Sequence, residues 1–184
     1  GKETAIIAQG EGEEIQTLSS VAFPHSLGLF YSAFTEFLGF RVGGGEYKVM
    51  GMAAFGQPLY EEKIQKLITL EEGGFKIDQR YFNFSAESNT LLTDKFLYEF
   101  GAPRKPETAF DVKNAPCQHY ADLAASLQKV MEEALLFFAR KAVEKTGLQK
   151  MVIGGDVALN SVANARVMRE LGVELYIQPA AGDA

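Results

Sequence analysis

Residues 150–177 read KMVIGGDVALNSVANARVMRELGVELYI, and this stretch decides the fold class. The apolar residues 151–153 predict a short strand, and Gly154-Gly155 predicts the turn that ends it. The next segment predicts a helix that Gly172 caps, and residues 173–177 predict a second strand. This order of strand, glycine turn, helix and strand predicts an α/β fold with a largely parallel sheet.

The rest of the chain predicts more helices and several short strands. Residues 4–8 and 14–20 flank a glycine-rich turn and predict a β-hairpin. Apolar side chains at helical spacing predict most of the helices, and short local patterns of apolar residues and glycines predict the other elements. Helices are predicted over about residues 27–38, 46–54, 59–70, 91–100 and 120–145, short strands over residues 75–77 and 81–84, and a surface loop over residues 102–116.

Composition and charge narrow the function classes. The 184 residues are 47% hydrophobic and 23% charged, with a net charge of −6. This composition is typical of a single domain with a hydrophobic core. The negative net charge argues against a nucleic acid as partner, because it repels the phosphate backbone, but it does not exclude a single nucleotide. The lone Cys117 and the lack of an apolar run of about 18–20 residues predict a cytoplasmic protein with no membrane span. Neither end trails off into polar residues, so we expect an internal piece of a longer protein.

The glycine pair Gly154-Gly155 is the strongest physical sign of a binding site. Ligands of open α/β sheets bind at the carboxyl ends of strands, where glycine lets a ligand approach the backbone and a helix N-terminus attracts anions. A tight turn without a ligand explains the pair equally well. Asn160 likewise has two interpretations, as the N-cap of the following helix or as a nucleotide contact, and its residue type favours the cap.

Three further residues are weaker candidates by themselves. Asp183 follows the second strand, where one carboxylate can bind a divalent metal with partners from elsewhere or can form a turn. Lys48 lies near the loop Gly43-Gly44-Gly45 and is either a phosphate ligand or a solvated surface lysine. Ser26 precedes a predicted helix and is a natural N-cap.

Four segments, taken together, resemble hallmark stretches of one enzyme family. They are FPHSLGLFYSAFT at residues 23–35, GEYKVMG at residues 45–51, VALNSVAN at residues 157–164 and QPAAGDA at residues 178–184. The family is that of the O-carbamoyltransferases that modify nodulation factors and antibiotics. The four segments occur in the same order as in the family and extend over most of the chain.

The resemblance implies a fold and a reaction. It implies an actin-like (ribonuclease-H-like) domain, related to the synthase of tRNA threonylcarbamoyladenosine, of which residues 1–184 are one fragment. An upstream metal-ligand half and a separate C-terminal domain are expected outside this chain, so the fragment alone should not catalyse transfer. Such enzymes form a carbamoyl-adenylate from ATP and carbamoyl phosphate and pass the carbamoyl group to a hydroxyl of a sugar or antibiotic.

The resemblance also implies site residues. It assigns an iron-type metal to Asp183 together with two histidines from an upstream motif. It assigns the nucleotide to a single cleft lined by Ser26, Gly28, Lys48, Gly154, Gly155 and Asn160.

Asp156 departs from the family pattern, which has a second glycine at this position. A carboxylate at about 4 Å from a phosphate would weaken nucleotide binding by roughly 1–4 kcal/mol. Two alternatives therefore stay open, a non-catalytic or regulatory domain that keeps the fold and a related tRNA-modifying enzyme. The sequence does not indicate the acceptor or the oligomeric state.

Overall fold

A computed structural model describes residues 2–85, 88–106, 108–111 and 113–182 of the chain. The contacts between residues divide the chain into two compact units. The first unit comprises Gly1–Gly28, Leu70–Lys76 and Met131–Ala184, and the second comprises Leu29–Thr69 and Ile77–Val130.

The described residues form a mixed α/β structure with small sheets and flanking helices. A 3₁₀ turn, Asp156–Leu159, lies between the fifth strand and the sixth helix of the chain. The elements in chain order are β1 (Glu3–Glu11), β2 (Glu14–Ala22), α1 (Leu27–Phe37), α2 (Glu46–Ala53), α3 (Glu61–Gln65), β3 (Ile68–Glu71), β4 (Gly74–Ile77), α4 (Asp94–Phe100), α5 (Ala115–Thr146), β5 (Lys150–Ile153), α6 (Ser161–Leu171) and β6 (Glu174–Ile177).

The first unit contains the predicted βαβ arrangement. β5 and β6 pair in parallel, with Met151 opposite Leu175 and Ile153 opposite Ile177, and α6 connects them. α6 ends at Gly172, whose φ of 63° is a left-handed conformation that glycine adopts without strain. The buried residues of this core come from α5, α6 and the segment before β6, and are Leu135, Leu136, Ala139, Ala163, Val167 and Val173.

The predicted largely parallel sheet is only partly observed. Within the described ranges the strands form three two-stranded sheets, β1–β2, β3–β4 and β5–β6. β1 and β2 pair antiparallel, as the predicted hairpin requires, because a two-residue turn at Gly12 reverses the chain direction. Parallel pairing is confirmed for β5 and β6, where a helix supplies the crossover.

The helix predicted over residues 59–70 is wrong in its second half. α3 ends at Gln65, and β3 begins at Ile68 and pairs with β4. The stretch from Ile68 to Leu70 includes two β-branched residues, which favour a strand, and Gly73-Gly74 supplies a hairpin turn. The apolar spacing at residues 64–68 fitted a helix, so periodicity alone gave the wrong element.

The core of the second unit is a cluster of phenylalanine rings. Most neighbouring rings meet edge to face or at a tilt, with centroid distances from 4.6 to 5.7 Å. Such geometry places the positive edge of one ring against the negative face of the next. The cluster connects α1, α4 and the segment before α4, and consists of Phe30, Phe34, Phe37, Phe82, Phe96 and Phe100.

Among the helices that the structure describes, none combines the length and the apolar character needed to cross a lipid bilayer. This finding agrees with the sequence, which lacks an apolar run of that length.

Phe96→Ala should destabilise the protein strongly, because Phe96 has no exposed surface and contacts four other rings of the cluster. We expect the free energy of unfolding to fall by about 3–5 kcal/mol in urea titrations. Tyr98→Ala, on the same helix α4 but 90% exposed, is the control and should change it by less than about 0.5 kcal/mol. Equal effects of the two substitutions would contradict the assignment of this core.

Candidate functional site

The glycine turn after β5 leaves its backbone open on one side. Gly155 has a φ of 85° and a ψ of 166°, a conformation that side chains strongly disfavour. A Cβ built on Gly154 or Gly155 would meet no described atom within 4 Å. The 3₁₀ turn continues with Ala158 N–H donating to the Gly155 carbonyl oxygen at 2.9 Å. The backbone at the carboxyl end of β5 is therefore accessible to a ligand.

Asn160 is the N-cap of α6, as its residue type suggested. Its side chain accepts a hydrogen bond from the backbone N–H of Ala163 at 3.1 Å. The cap satisfies a backbone N–H in the first turn of α6, which begins directly after the 3₁₀ turn. The assignment of Asn160 to a nucleotide stays a prediction.

Asn164 is a residue of this site that the sequence analysis missed. Its side-chain Nδ2 donates to the carbonyl oxygen of Ala158 at 2.7 Å, and only 7% of the residue is exposed. Asn164 is four residues after Asn160, and side chains at this spacing share a helix face. That spacing was the available sequence signal, since it places two polar side chains on the face nearest the preceding turn.

Ser26 and Gly28 lie beside the glycine turn, within the first unit. A Cβ built on Gly28 would be 3.6 Å from Ser26 Oγ and 3.9 Å from Val157 Cγ2. These are ordinary van der Waals distances, so the start of α1 touches the 3₁₀ turn. Gly28 therefore lies next to Val157 in the segment after Gly155. The assignment of Ser26 and Gly28 to a nucleotide stays a prediction.

The C-terminal segment also reaches this turn. A Cβ built on Gly182 would be 3.0 Å from Asp156 Oδ1 and 3.8 Å from Leu159 Cδ1, so the Asp156 carboxylate lies against Gly182. A larger residue at position 182 would require this carboxylate to move. Asp183 follows directly and lies outside the described residues, so its assigned role as a metal ligand stays a prediction.

The described residues do not by themselves supply an iron site. They include no group of three or more histidine, cysteine, aspartate or glutamate side chains arranged to hold a metal ion. The two histidines of the chain, His25 and His119, belong to different units. The iron site that the resemblance assigns to Asp183 and to two upstream histidines therefore stays a prediction.

A network of charges attaches α6 to α5 within the first unit. Arg166 donates to Glu170 at 2.6 Å and to Glu133 at 2.5 Å, and its side chain is 11% exposed. Burial acts to lower the pKa of Arg166, but the hydrogen bonds that it donates to the two carboxylates outweigh this effect and raise the pKa above its ordinary value. The guanidinium therefore stays charged and keeps α6 in place behind the glycine turn.

Lys48 lies in the second unit, on α2, and its side chain is exposed. Its Nζ is 5.8 Å from the centre of the Tyr47 ring, a weak cation–π contact. The six residues assigned to the nucleotide are thus divided between the units, with Lys48 alone in the second. A shared cleft that includes Lys48 stays a prediction.

The loop that precedes α2 binds an anion of its own chain. The backbone N–H groups of Gly43, Gly44 and Gly45 donate to the Glu46 carboxylate at 3.0, 2.8 and 3.0 Å, and Ser32 Oγ donates to it at 3.0 Å. Burial acts to raise the pKa of Glu46, but these hydrogen bonds outweigh it and lower this pKa below its ordinary value. The sequence had suggested only a flexible loop here.

Comparison with known proteins identifies the class of this α/β domain. The profile described as "Carbamoyltransferase N-terminus" matches residues 3–184. The chain belongs to this carbamoyltransferase family, as the four sequence segments indicated.

Individual relatives agree with the family. An uncharacterized protein of Synechocystis is 42% identical over 98% of the chain, which covers 29% of that protein. Nodulation protein NolNO of Sinorhizobium fredii is 30% identical over 98% of the chain, which covers 24% of it. A tRNA N6-adenosine threonylcarbamoyltransferase of Bordetella petrii is 38% identical over 33% of the chain and 18% of its own length. The chain therefore spans less than a third of the length of these relatives.

Glu46→Gln should destabilise the protein at neutral pH, because an amide cannot satisfy three N–H groups as a carboxylate does. A group whose pKa is lowered by folding contributes stability above its ordinary value, 4.5 for Glu46, and this contribution is lost as the pH falls through the pKa of the folded state. We expect a loss of about 1 kcal/mol at pH 7, allowing for partial solvent exposure.

The difference from wild type should shrink in urea titrations as the pH falls below 4.5, since protonated Glu46 resembles glutamine. Glu62→Gln, in the first turn of α3, is the control for loss of one charge near a helix N-terminus. A Glu46→Gln difference that is constant between pH 7 and pH 3 would rule out the charged carboxylate as its cause.

Proposed function

We propose that the protein containing this chain is an ATP-dependent O-carbamoyltransferase. Water cleaves carbamoyl phosphate to carbamate and inorganic phosphate, and a carbamate oxygen attacks the α-phosphate of ATP to give carbamoyl-adenylate and pyrophosphate. The carbamoyl group then passes to a hydroxyl of a sugar or antibiotic-like acceptor, which loses its proton, and AMP is released. The chain contributes part of an actin-like nucleotide-binding domain. The observation that carries the proposal is the open glycine turn at the carboxyl end of β5, in a chain that belongs to the carbamoyltransferase family.

The chain would bind and orient the nucleotide rather than react with it. The Gly154-Gly155 backbone allows close approach of phosphate oxygens, and the N-terminus of α6 attracts negative charge at the end of the same turn. Gly28 lies next to Val157 of the turn from the start of α1, and Ser26 lies next to Gly28. Donors that are held in place before the nucleotide arrives lower the barrier to transfer, because they need no rearrangement during the reaction.

Three extensions of this proposal rest on the family resemblance. The first is an iron ion held by Asp183 with histidines from another part of the protein. The second is the inclusion of Lys48 in the nucleotide cleft, and the third is a cytoplasmic location. The acceptor contacts are assigned to other parts of the protein, since nothing in the described residues selects one hydroxyl over another.

The alternative of a non-catalytic or regulatory domain draws its support from Asp156. This side chain is exposed at the start of the 3₁₀ turn, immediately after the accessible glycine pair. A negative charge there opposes a polyphosphate. The alternative of a tRNA-modifying enzyme has less support, because similarity to the Bordetella protein covers only a third of the chain and the net charge of −6 repels RNA.

The decisive experiment measures pyrophosphate released from ATP by the full-length, metal-loaded protein. Release that requires carbamoyl phosphate supports the proposed activity. Absence of release from a correctly folded and metal-loaded protein would overturn it and favour the non-catalytic domain. Transfer of a threonylcarbamoyl group to an adenosine of tRNA would instead favour the tRNA-modifying class.

Asp156→Gly should tighten binding of adenine nucleotides, because it removes both a like charge and a Cβ beside the open turn. We expect a gain of about fivefold or more in affinity by calorimetry, equivalent to about 1 kcal/mol. Asp156→Asn keeps the Cβ and removes only the charge, so it should give the electrostatic part of the gain.

The control for the overall charge is Glu174→Gln, at the first residue of β6 and therefore at the other end of the parallel strands. It should leave the affinity within about twofold of wild type, since surface charges at a distance are screened. Equal or weaker nucleotide binding by Asp156→Gly would refute the repulsion argument.

A further inference from the structure

Asn164 is a buried polar residue on an otherwise apolar part of α6. Its neighbours Ala163 and Val167 are 1% and 0% exposed, and Asn164 itself is 7% exposed. Its Oδ1 is buried and has no hydrogen-bond partner among the residues that the structure describes. A leucine of similar size would fill the same volume without burying a polar acceptor, so packing alone does not explain an asparagine here.

The hydrogen bond that the Asn164 side chain donates determines its orientation. Nδ2 lies 2.7 Å from the carbonyl oxygen of Ala158. The reversed amide would place Oδ1 against that carbonyl oxygen, and two acceptors at this distance repel each other. The side chain therefore acts as a donor to the 3₁₀ turn.

This bond fixes the middle of the glycine turn. Ala158 is 1% exposed, and its N–H donates to the Gly155 carbonyl oxygen at 2.9 Å. With its own carbonyl oxygen bound by Asn164, both backbone groups of Ala158 are held. Ala158 thus anchors a segment whose other residues, including Gly155 and Asp156, are exposed or only half-buried.

Asn160 and Asn164 act on different parts of this junction. Asn160 caps the helix that it begins, through the N–H of Ala163. Asn164 reaches back from the second turn of α6 to the segment before the helix. The Asn164 bond connects the body of α6, which Arg166 attaches to α5, directly to the 3₁₀ turn.

We propose that Asn164 is a positioning residue for nucleotide binding, which holds the 3₁₀ turn through the Ala158 carbonyl and so keeps the Gly154-Gly155 backbone open to a polyphosphate. The inference rests on the proposed function and adds a residue to it. Asn164 need not touch the nucleotide, because it acts through the position of Ala158.

Asn164→Asp tests the donor in the full-length protein, because a carboxylate has nearly the same shape as the amide but cannot donate. At pH 8 the KM for ATP should rise by about tenfold or more, with a smaller change in kcat. Protonation restores a donor O–H, so the KM relative to wild type should recover as the pH falls. Burial raises the pKa of the introduced aspartate above its ordinary value of about 3.9. The KM for ATP of Asn164→Asp should therefore begin to recover well above a pH of about 3.9.

Two further variants separate positioning from stability. Asn164→Leu should raise the KM for ATP at every pH, with no recovery, because leucine never donates. Thr146→Val removes a side-chain hydrogen bond of the same length, 2.7 Å, to the Ala142 carbonyl in the same unit. It lies before β5, at the strand end opposite the glycine turn, and should leave the KM for ATP unchanged.

Hydrogen exchange measured without nucleotide tests directly whether Asn164 stabilises the 3₁₀ turn. The amides of Ala158 and Asn160 are hydrogen-bonded within the turn and report its opening. Exchange in peptides covering residues 155–160 should be faster in both Asn164 variants than in wild type and in Thr146→Val. If Asn164→Asp does not fold, Asn164→Leu alone tests the inference. A raised KM for ATP together with faster exchange supports it, and a KM and an exchange rate that both equal those of wild type overturn it.

The outcomes distinguish the inference from the proposed function. A folded wild-type protein without ATP-dependent activity overturns the proposed function, and the positioning role with it. A wild-type protein that uses ATP, together with Asn164 variants of unchanged KM and unchanged exchange, overturns the positioning role alone. Raised KM without recovery of Asn164→Asp at low pH also overturns it, since the effect would then not depend on a donor.

Discussion

The candidate site depends on the backbone conformation of Gly155. Its φ of 85° turns the chain from β5 into the 3₁₀ turn and exposes the backbone at the end of the strand. Side chains strongly disfavour this conformation, so the residue type and the shape of the turn are inseparable. Because the start of α1 and Gly182 both contact the segment that follows, the position of several candidate residues depends on this one torsion angle.

Two glycine-rich loops of the chain differ in what their N–H groups bind. In the loop before α2, three successive N–H groups and Ser32 surround the Glu46 carboxylate, so an internal anion satisfies them. Next to Gly154-Gly155 the nearest carboxylate, Asp156, is exposed and lies against Gly182. The first loop is thus a structural element of α2, whereas the backbone of the second is accessible and stays only a candidate for binding an external ligand.

In both units apolar packing is accompanied by polar contacts. The second unit has a closely packed phenylalanine core, and Arg104, Asp122 and Ser126 are buried and hydrogen-bonded within the same unit. In the first unit, apolar packing of α6 is supplemented by Arg166, which makes contacts with carboxylates on α5 and on α6 itself. A helix held by directional bonds has a defined orientation, which is what a helix that positions a binding turn requires.

Local patterns in the sequence determined most elements, the βαβ order and the glycine turn, because apolar periodicity, caps and glycines act within a few residues. The same signals made Asn160 a cap, and the combination of four segments indicated the family. Tertiary structure decided the strand pairing and the side-chain contacts, which local sequence signals do not specify. It placed β3 where a helix pattern continued, because pairing with β4 outweighed periodicity. It joined Gly28, Asp156 and Gly182 at one turn, because contacts between residues far apart in the sequence exist only once the chain has folded. It also gave Asn164 and Glu46 their partners, because these nearby bonds depend on the backbone conformation of the folded turns.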